Sequence, residues 1–206
     1  MTGAQFASVV GGEFPISEEE FRRWTSASGP AAVGAIEAQF GGDRSSALWL
    51  TFGRNAIGVA LDLCGVDAQA TLALTAYQCG AVARKIASRT RRRRFYATDE
   101  ALNPVPDDFR KQVRGAQAVF TTVYFGAPAI ERRLSELAEE LHGFGESPWI
   151  IEDRVMCFPS PVRPEDKRRC DFAILSFHKH YPVPDGALLV ACSRSEEHTS
   201  ELQSQR

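Results

Sequence analysis

Short apolar runs alternate along this chain with longer segments of helical period, and few architectures accept that alternation. The runs at 47–52, 71–75, 116–124, 149–152, 171–177 and 187–191 read as strands, and 92–97 as a further short strand with a charged face. Between them, 54–63, 80–88 and 128–141 carry helical spacing, the last with Pro128 in its first turn, where a missing N–H does no harm. Ser17-Glu18-Glu19-Glu20 has capping-box spacing and predicts a helix through Trp24. Strands alternating with helices predict an α/β fold, a mostly parallel sheet sandwiched by helices. Residues 1–46 are then an N-terminal segment, and 47–193 the main domain.

Composition narrows the function classes. Of 206 residues, 44% are hydrophobic and 24% charged, a globular mixture that argues against disorder and coiled coil. The formal net charge of -2 argues against nucleic acid held by bulk positive charge. Arg89 and the run Arg91 to Arg94 are then a solvated strand edge, where charge also blocks edge pairing. No apolar run approaches the roughly 18 residues of a membrane span. Met1 to Val10 has neither the basic region nor the long apolar stretch of a signal peptide. Cys64, Cys79, Cys157, Cys170 and Cys192 form no Cys-x-x-Cys pair and read as reduced thiols, so the expected compartment is the cytoplasm. His178 and His180 lack the further ligands a zinc ion needs, read as an exposed loop pair, and no metal is expected.

The last stretch is different in kind. Residues 194–206 follow a strongly apolar segment with no turn to close it, and Arg194 to Ser204 resembles the translation of a sequencing-library adapter. The expectation is that 194–206 is not native and that 47–193 is an incomplete domain of a longer protein. Without the tail, 22 basic side chains stand against 23 acidic ones.

In open α/β sheets ligands bind beyond the carboxyl ends of strands. Three polar groups fall there. Gly53-Arg54-Asn55-Ala56 joins a strand to a helix whose first N–H groups make a phosphate cradle, although such turns also occur empty. Asp153, just past a buried strand, suits a metal, a base or a protonated nitrogen, and also suits an ordinary cap or loop ion pair. Lys179 follows Ser176-Phe177-His178 and precedes a loop stiffened by Pro182, Pro184 and Gly186. Desolvation there lowers a lysine pKa and makes the amine nucleophilic. A solvated loop lysine is the plainer reading.

Together and in this order, these elements resemble the DegT/StrS-type aminotransferases, which use pyridoxal phosphate on the type I aminotransferase fold. The resemblance implies that Lys179 carries the cofactor and shuttles a proton during amino transfer. It implies that Asp153 pairs with the pyridine nitrogen, and that Gly53, Arg54, Asn55 and Ser176 hold the phosphate. Tyr77, in Leu74-Thr75-Ala76-Tyr77-Gln78-Cys79, falls where an aromatic stacks on the cofactor ring, with Cys79 as the other candidate alignment. Tyr124-Phe125-Gly126 matches an aromatic-glycine turn of the family. The departures are Arg54 for a small hydroxyl residue, Met156 for a histidine or glutamine, and Gly186-Ala187 for a double glycine. The implied partners are an amino donor and a keto acceptor, with a nucleotide-linked sugar the commonest acceptor, and a second copy of the whole chain in a homodimer.

Two other classes fit part of this pattern. Ser176-x-x-Lys179 also fits the acyl-serine pair of penicillin-binding enzymes, but that pair needs a helix, which Pro182 and Pro184 end almost at once. A homologue of the same fold that binds the cofactor without transaminating is the runner-up.

Overall fold

The structure, a computed structural model, describes residues 47–143, 148–157, 170–181 and 183–192. The expected helix after Ser17, the rest of 1–46 and the tail 194–206 lie outside the described residues. Eleven elements follow in order: β1 (Ala47–Leu50), α1 (Gly53–Leu63), β2 (Thr71–Thr75), α2 (Gly80–Ala87), β3 (Arg92–Tyr96), α3 (Pro106–Val113), β4 (Ala118–Thr122), α4 (Pro128–Gly143), β5 (Trp149–Asp153), β6 (Phe172–Ser176) and β7 (Ala187–Ala191). The strands form a sheet in the order β1-β7-β6-β5-β4-β2-β3. Neighbours from β6 through to β3 run parallel, and β7 alone runs against both of its neighbours, β6 and β1.

Alternation along the strands explains the three layers. Leu72 and Leu74 face one way with Phe120, Ile151 and Ile174, packed under Ile57 and Leu61 of α1 and Ile86 of α2. Ala73, Val119, Ile150 and Leu175 face the other way, against Phe109 and Val113 of α3 and Leu137 and Leu141 of α4. Central strands buried on both faces need apolar residues at successive positions, which is why β7 is apolar throughout and β4 and β6 open on three and four successive apolar residues. Strand β3 is the exception. Only Tyr96 is buried there, because the strand lies at the sheet edge with its arginines in solvent.

Helix α3 was absent from the sequence expectation. Only Phe109 and Val113 of its eight residues are buried, too few to raise a periodic signal above a charged background. One boundary also moved. Asp153 is the last residue of β5 rather than a position just past it, and Ser176, expected within the strand 171–177, is the last residue of β6, so the sheet's own hydrogen bonds fix both backbones.

The chain passes from β2 outward to β3, then crosses back to place β4 on the other side of β2. That reversal opens a crevice beyond the carboxyl ends of β2 and β4, where loops diverge to opposite faces.

Candidate functional site

A cavity of about 520 Å³ occupies this crevice and extends across the carboxyl ends of β1, β5 and β6. Gly53, Arg54, Tyr77, Asp153, Ser176 and Lys179 all line it. Asn55 does not. Its side chain is exposed, and its N–H is taken by the Phe52 carbonyl at 2.8 Å as α1 closes its first turn. The Gly53 and Arg54 amides have no such acceptor among the described residues, so the anion-binding capacity of this turn rests on them. Gly53 permits close approach: a Cβ there would stand 3.1 Å from Val155 Cγ1, tighter than an ordinary contact.

Arg54 adds charge to the turn. Its guanidinium lies 4.7 Å from the centre of the Phe52 ring, a cation–π distance that keeps it beside the cavity. The Phe52 ring also meets His178 edge-on at 5.7 Å. Ser176 Oγ lies 3.0 Å from His178 Nδ1. Burial, then the charges of Lys179 and Arg54, hold the His178 pKa below its ordinary value, so the ring is neutral at pH 7. If its Nδ1–H donates to Ser176, the serine hydroxyl hydrogen is left for a ligand.

Asp153 is 2% exposed, and Oδ1 accepts from the Val155 amide at 3.0 Å. Oδ2 has no hydrogen-bond partner among the described residues. Burial pushes this carboxyl up to about 6, against the lowering effects of the Val155 amide and the Lys179 charge. Buried Glu152 pushes it in the same upward direction. A cation beside Oδ2 would oppose the burial effect and favour the carboxylate.

Lys179 sits in a turn tied down on both sides. Before it, Ser176 and His178 are hydrogen bonded; after it, His180 Nε2 donates to the Val155 carbonyl at 3.2 Å. The Phe177 amide donates to the Gly186 carbonyl at 2.9 Å, and the Gly186 amide to that of Thr51 at 2.7 Å. One expectation is corrected here. The histidines are half-buried and hydrogen bonded rather than an exposed loop pair, because the turn folds back over the end of β5. The Lys179 side chain is exposed, as the plainer reading of its loop had it, since the cavity opens to solvent beside it.

Tyr77 is 62% exposed, with its ring 5.6 Å from that of Tyr124. The Tyr124 hydroxyl donates to the Tyr77 carbonyl. Gln78 Nε2 donates to Thr122 Oγ1 at 2.9 Å, joining the loops after β2 and β4 across the crevice. Thr122, Gln78 and His178 were not singled out as site residues. Their only signal in the sequence is position, at a strand's carboxyl end or up to three residues past it. Met156 also lines the cavity. Among the described residues no cluster of acidic, histidine and cysteine side chains could hold a metal ion, and no helix is long and apolar enough to cross a membrane.

No protein-family model matches the chain, and no curated protein does. Solved structures do. The aminotransferase TlmJ from Streptoalloteichus hindustanus matches with a TM-score of 0.70 at 20% identity, over 95% of this chain and 56% of its own. The sugar aminotransferase CalS13 from Micromonospora echinospora matches with a TM-score of 0.68 at 17% identity, over 96% of this chain and 57% of its own. A cysteine desulfurase from Thermococcus onnurineus NA1 matches with a TM-score of 0.57 at 17% identity, over 81% and 43%. The chain has the type I aminotransferase fold. It spans little more than half the length of TlmJ and CalS13. In this fold the antiparallel β7 and the crevice beyond β2 and β4 belong to one architecture, which accounts for a cavity drawing on five strand ends.

Proposed function

We propose that the chain is the cofactor-binding part of a pyridoxal-phosphate-dependent aminotransferase of DegT/StrS type. The observation that carries this reading is the convergence of Lys179, Asp153, Ser176 and the amino end of α1 on one cavity. These groups fit the cofactor: a carboxylate oxygen with no hydrogen-bond partner among the described residues, an amine, a hydroxyl and an anion-binding turn. When bound, pyridoxal phosphate supplies the electron sink that allows the Cα–H bond of an amino acid to break. Asp153 Oδ2 would accept a hydrogen bond from the protonated ring nitrogen and keep that proton in place. The Gly53 and Arg54 amides, the Arg54 guanidinium and the Ser176 hydroxyl neutralise and orient the phosphate. Lys179 would hold the cofactor through its amine and would be the group placed to move a proton at the substrate Cα. The Tyr77 ring, which lines the cavity, would be the group placed to cover the cofactor ring.

In the whole protein, a homodimer on this reading, glutamate or glutamine donates the amino group. The acceptor is a keto group on a nucleotide-linked sugar or a related small carbonyl compound. The compartment is the cytoplasm.

Borohydride reduction of the cofactor-loaded whole protein tests the assignment. A pyridoxyl group fixed on the peptide that contains Lys179 supports it. Labelling of another lysine, or of none, overturns it.

A second reading has the same fold binding the cofactor without transaminating, or running a different reaction on it. Arg54 in the phosphate turn, and a cysteine desulfurase among the structures of similar fold, favour it. Conversion of the cofactor to its aminated form by glutamate separates the two readings.

A further inference from the structure

Two of the five cysteines meet at a place the proposed cofactor site does not use. Cys170 precedes β6 and Cys192 follows β7, so antiparallel pairing brings both to the edge of the sheet opposite the cavity. Both are buried, and their Sγ atoms are 3.4 Å apart. The Cys192 amide donates to the Asp171 carbonyl at 2.7 Å, which fixes the two backbones against each other where the thiols meet. A disulfide bond is about 2.0 Å long, so closing a gap of roughly 1.4 Å by side-chain rotation brings the sulfurs to bonding distance. The other cysteines differ. Cys157 Sγ contacts the Val123 carbonyl at 3.2 Å, Cys64 is buried under α1, and Cys79 is exposed beside the cavity.

We propose that Cys170 and Cys192 are a redox-responsive pair that closes to an intramolecular disulfide when the protein meets hydrogen peroxide. One thiolate attacks a peroxide oxygen, the O–O bond breaks, and a sulfenic acid forms while hydroxide takes up a proton to leave as water. The sulfur of the second thiol attacks the sulfenic sulfur, the S–O bond breaks, and the hydroxyl leaves as water with the second thiol's proton. Two thiols lose two electrons to one peroxide, giving one disulfide and two waters. Burial disfavours bulky disulfide oxidants, which is why the oxidant proposed is one as small as hydrogen peroxide. It also makes each sulfur the nearest nucleophile to the other.

The bond would close a loop that carries Ser176, Lys179 and Gly186, tying β6 to β7 from their far ends. A cross-link of that kind restricts the unfolded chain and raises resistance to denaturant.

The test uses the full chain and needs no cofactor. Protein is treated with hydrogen peroxide, quenched, unfolded in iodoacetamide and digested without reductant. The expected result is one cross-linked peptide pair joining Cys170 to Cys192, lighter than the two thiol peptides by two hydrogen atoms. It is lost on adding dithiothreitol and absent from Cys170→Ser and Cys192→Ser, while Cys64 and Cys157 remain alkylated. The urea midpoint of the oxidised wild-type protein should rise above that of the reduced form, a shift that Cys192→Ser lacks. Alkylation of both Cys170 and Cys192 after oxidation, or cross-links distributed among all five cysteines, overturns the proposal.

Discussion

The imidazole of His180 donates to the carbonyl of Val155 at 3.2 Å, and the amide of Val155 donates to Asp153 at 3.0 Å. The turn bearing Lys179 is thereby hooked to the same residue that orients the carboxylate. His180→Ala should loosen the spacing between amine and acid. Loss of one partly buried hydrogen bond is worth about 1 kcal/mol, a factor of roughly five in cofactor affinity by absorbance titration. His180→Gln, which keeps a donor, should recover part of it.

Asp153 gives the cofactor-free protein a specific pH dependence. Its carboxyl rises from 3.8 to about 6 on folding, so the native state binds the proton more tightly than the unfolded chain. That stability is fully present below pH 3.8 and is lost as pH rises through 6. The shift corresponds to about 3 kcal/mol. Urea midpoints between pH 4 and 7 should fall more steeply for the wild-type protein than for Asp153→Asn. On the proposed reading, cofactor binding should also strengthen with pH over this window in the wild-type protein alone.

Gly53→Ala should be damaging although alanine favours helices. The new Cβ would press on Val155 Cγ1 at 3.1 Å and push α1 away from the end of β5. Overpacking of this kind costs about 1–3 kcal/mol. A denaturant titration measures that cost. Inorganic phosphate should protect Gly53→Ala less than the wild-type protein.

Gly186 has φ of +120°, a conformation that side chains rarely adopt, and it joins Thr51 to Phe177 through its own amide and carbonyl. Gly186→Ala should cost about 1–3 kcal/mol by backbone strain. Hydrogen exchange should show the loss at the ends of β1 and β6, with α3 unchanged.

Arg154 is 4% exposed and pairs with Glu131 at 2.9 Å and with fully buried Glu152 at 3.6 Å. Arg154→Met should destabilise by about 3–5 kcal/mol, because it leaves a buried carboxylate without its arginine. Adding Glu152→Gln should restore a large part of the thermal midpoint.

The central strands were legible because burial on both faces demands apolar runs. Thr71–Thr75 and Ala187–Ala191 begin and end where their sequence signals do. Helix α3 was not legible, because its contribution to the core is two side chains and the rest of its surface is solvated. In the candidate site, Lys179, Asp153 and Ser176 stood out because each ends or follows an apolar run. The exclusion of Asn55 depends on how tightly the first turn of α1 winds, which residue types do not encode. The bond from Gln78 to Thr122 exists only once β4 has crossed back beside β2, and the approach of Cys170 to Cys192 only once β7 has reversed. Such contacts belong to the topology rather than to any local pattern.

The pairing of β1 with β7 has a consequence for how the molecule is made. The first described strand finds its partner only in the last, so almost the whole described chain must leave the ribosome before Ala47–Leu50 can dock. Contacts that distant in sequence form late, after the β2, β4 and β5 neighbours have assembled. The Gly53 turn hangs directly from β1. A nascent chain stalled before Ala187 would therefore carry α1 packed on β2 and β6 while the strand that leads into its amino end stayed unpaired.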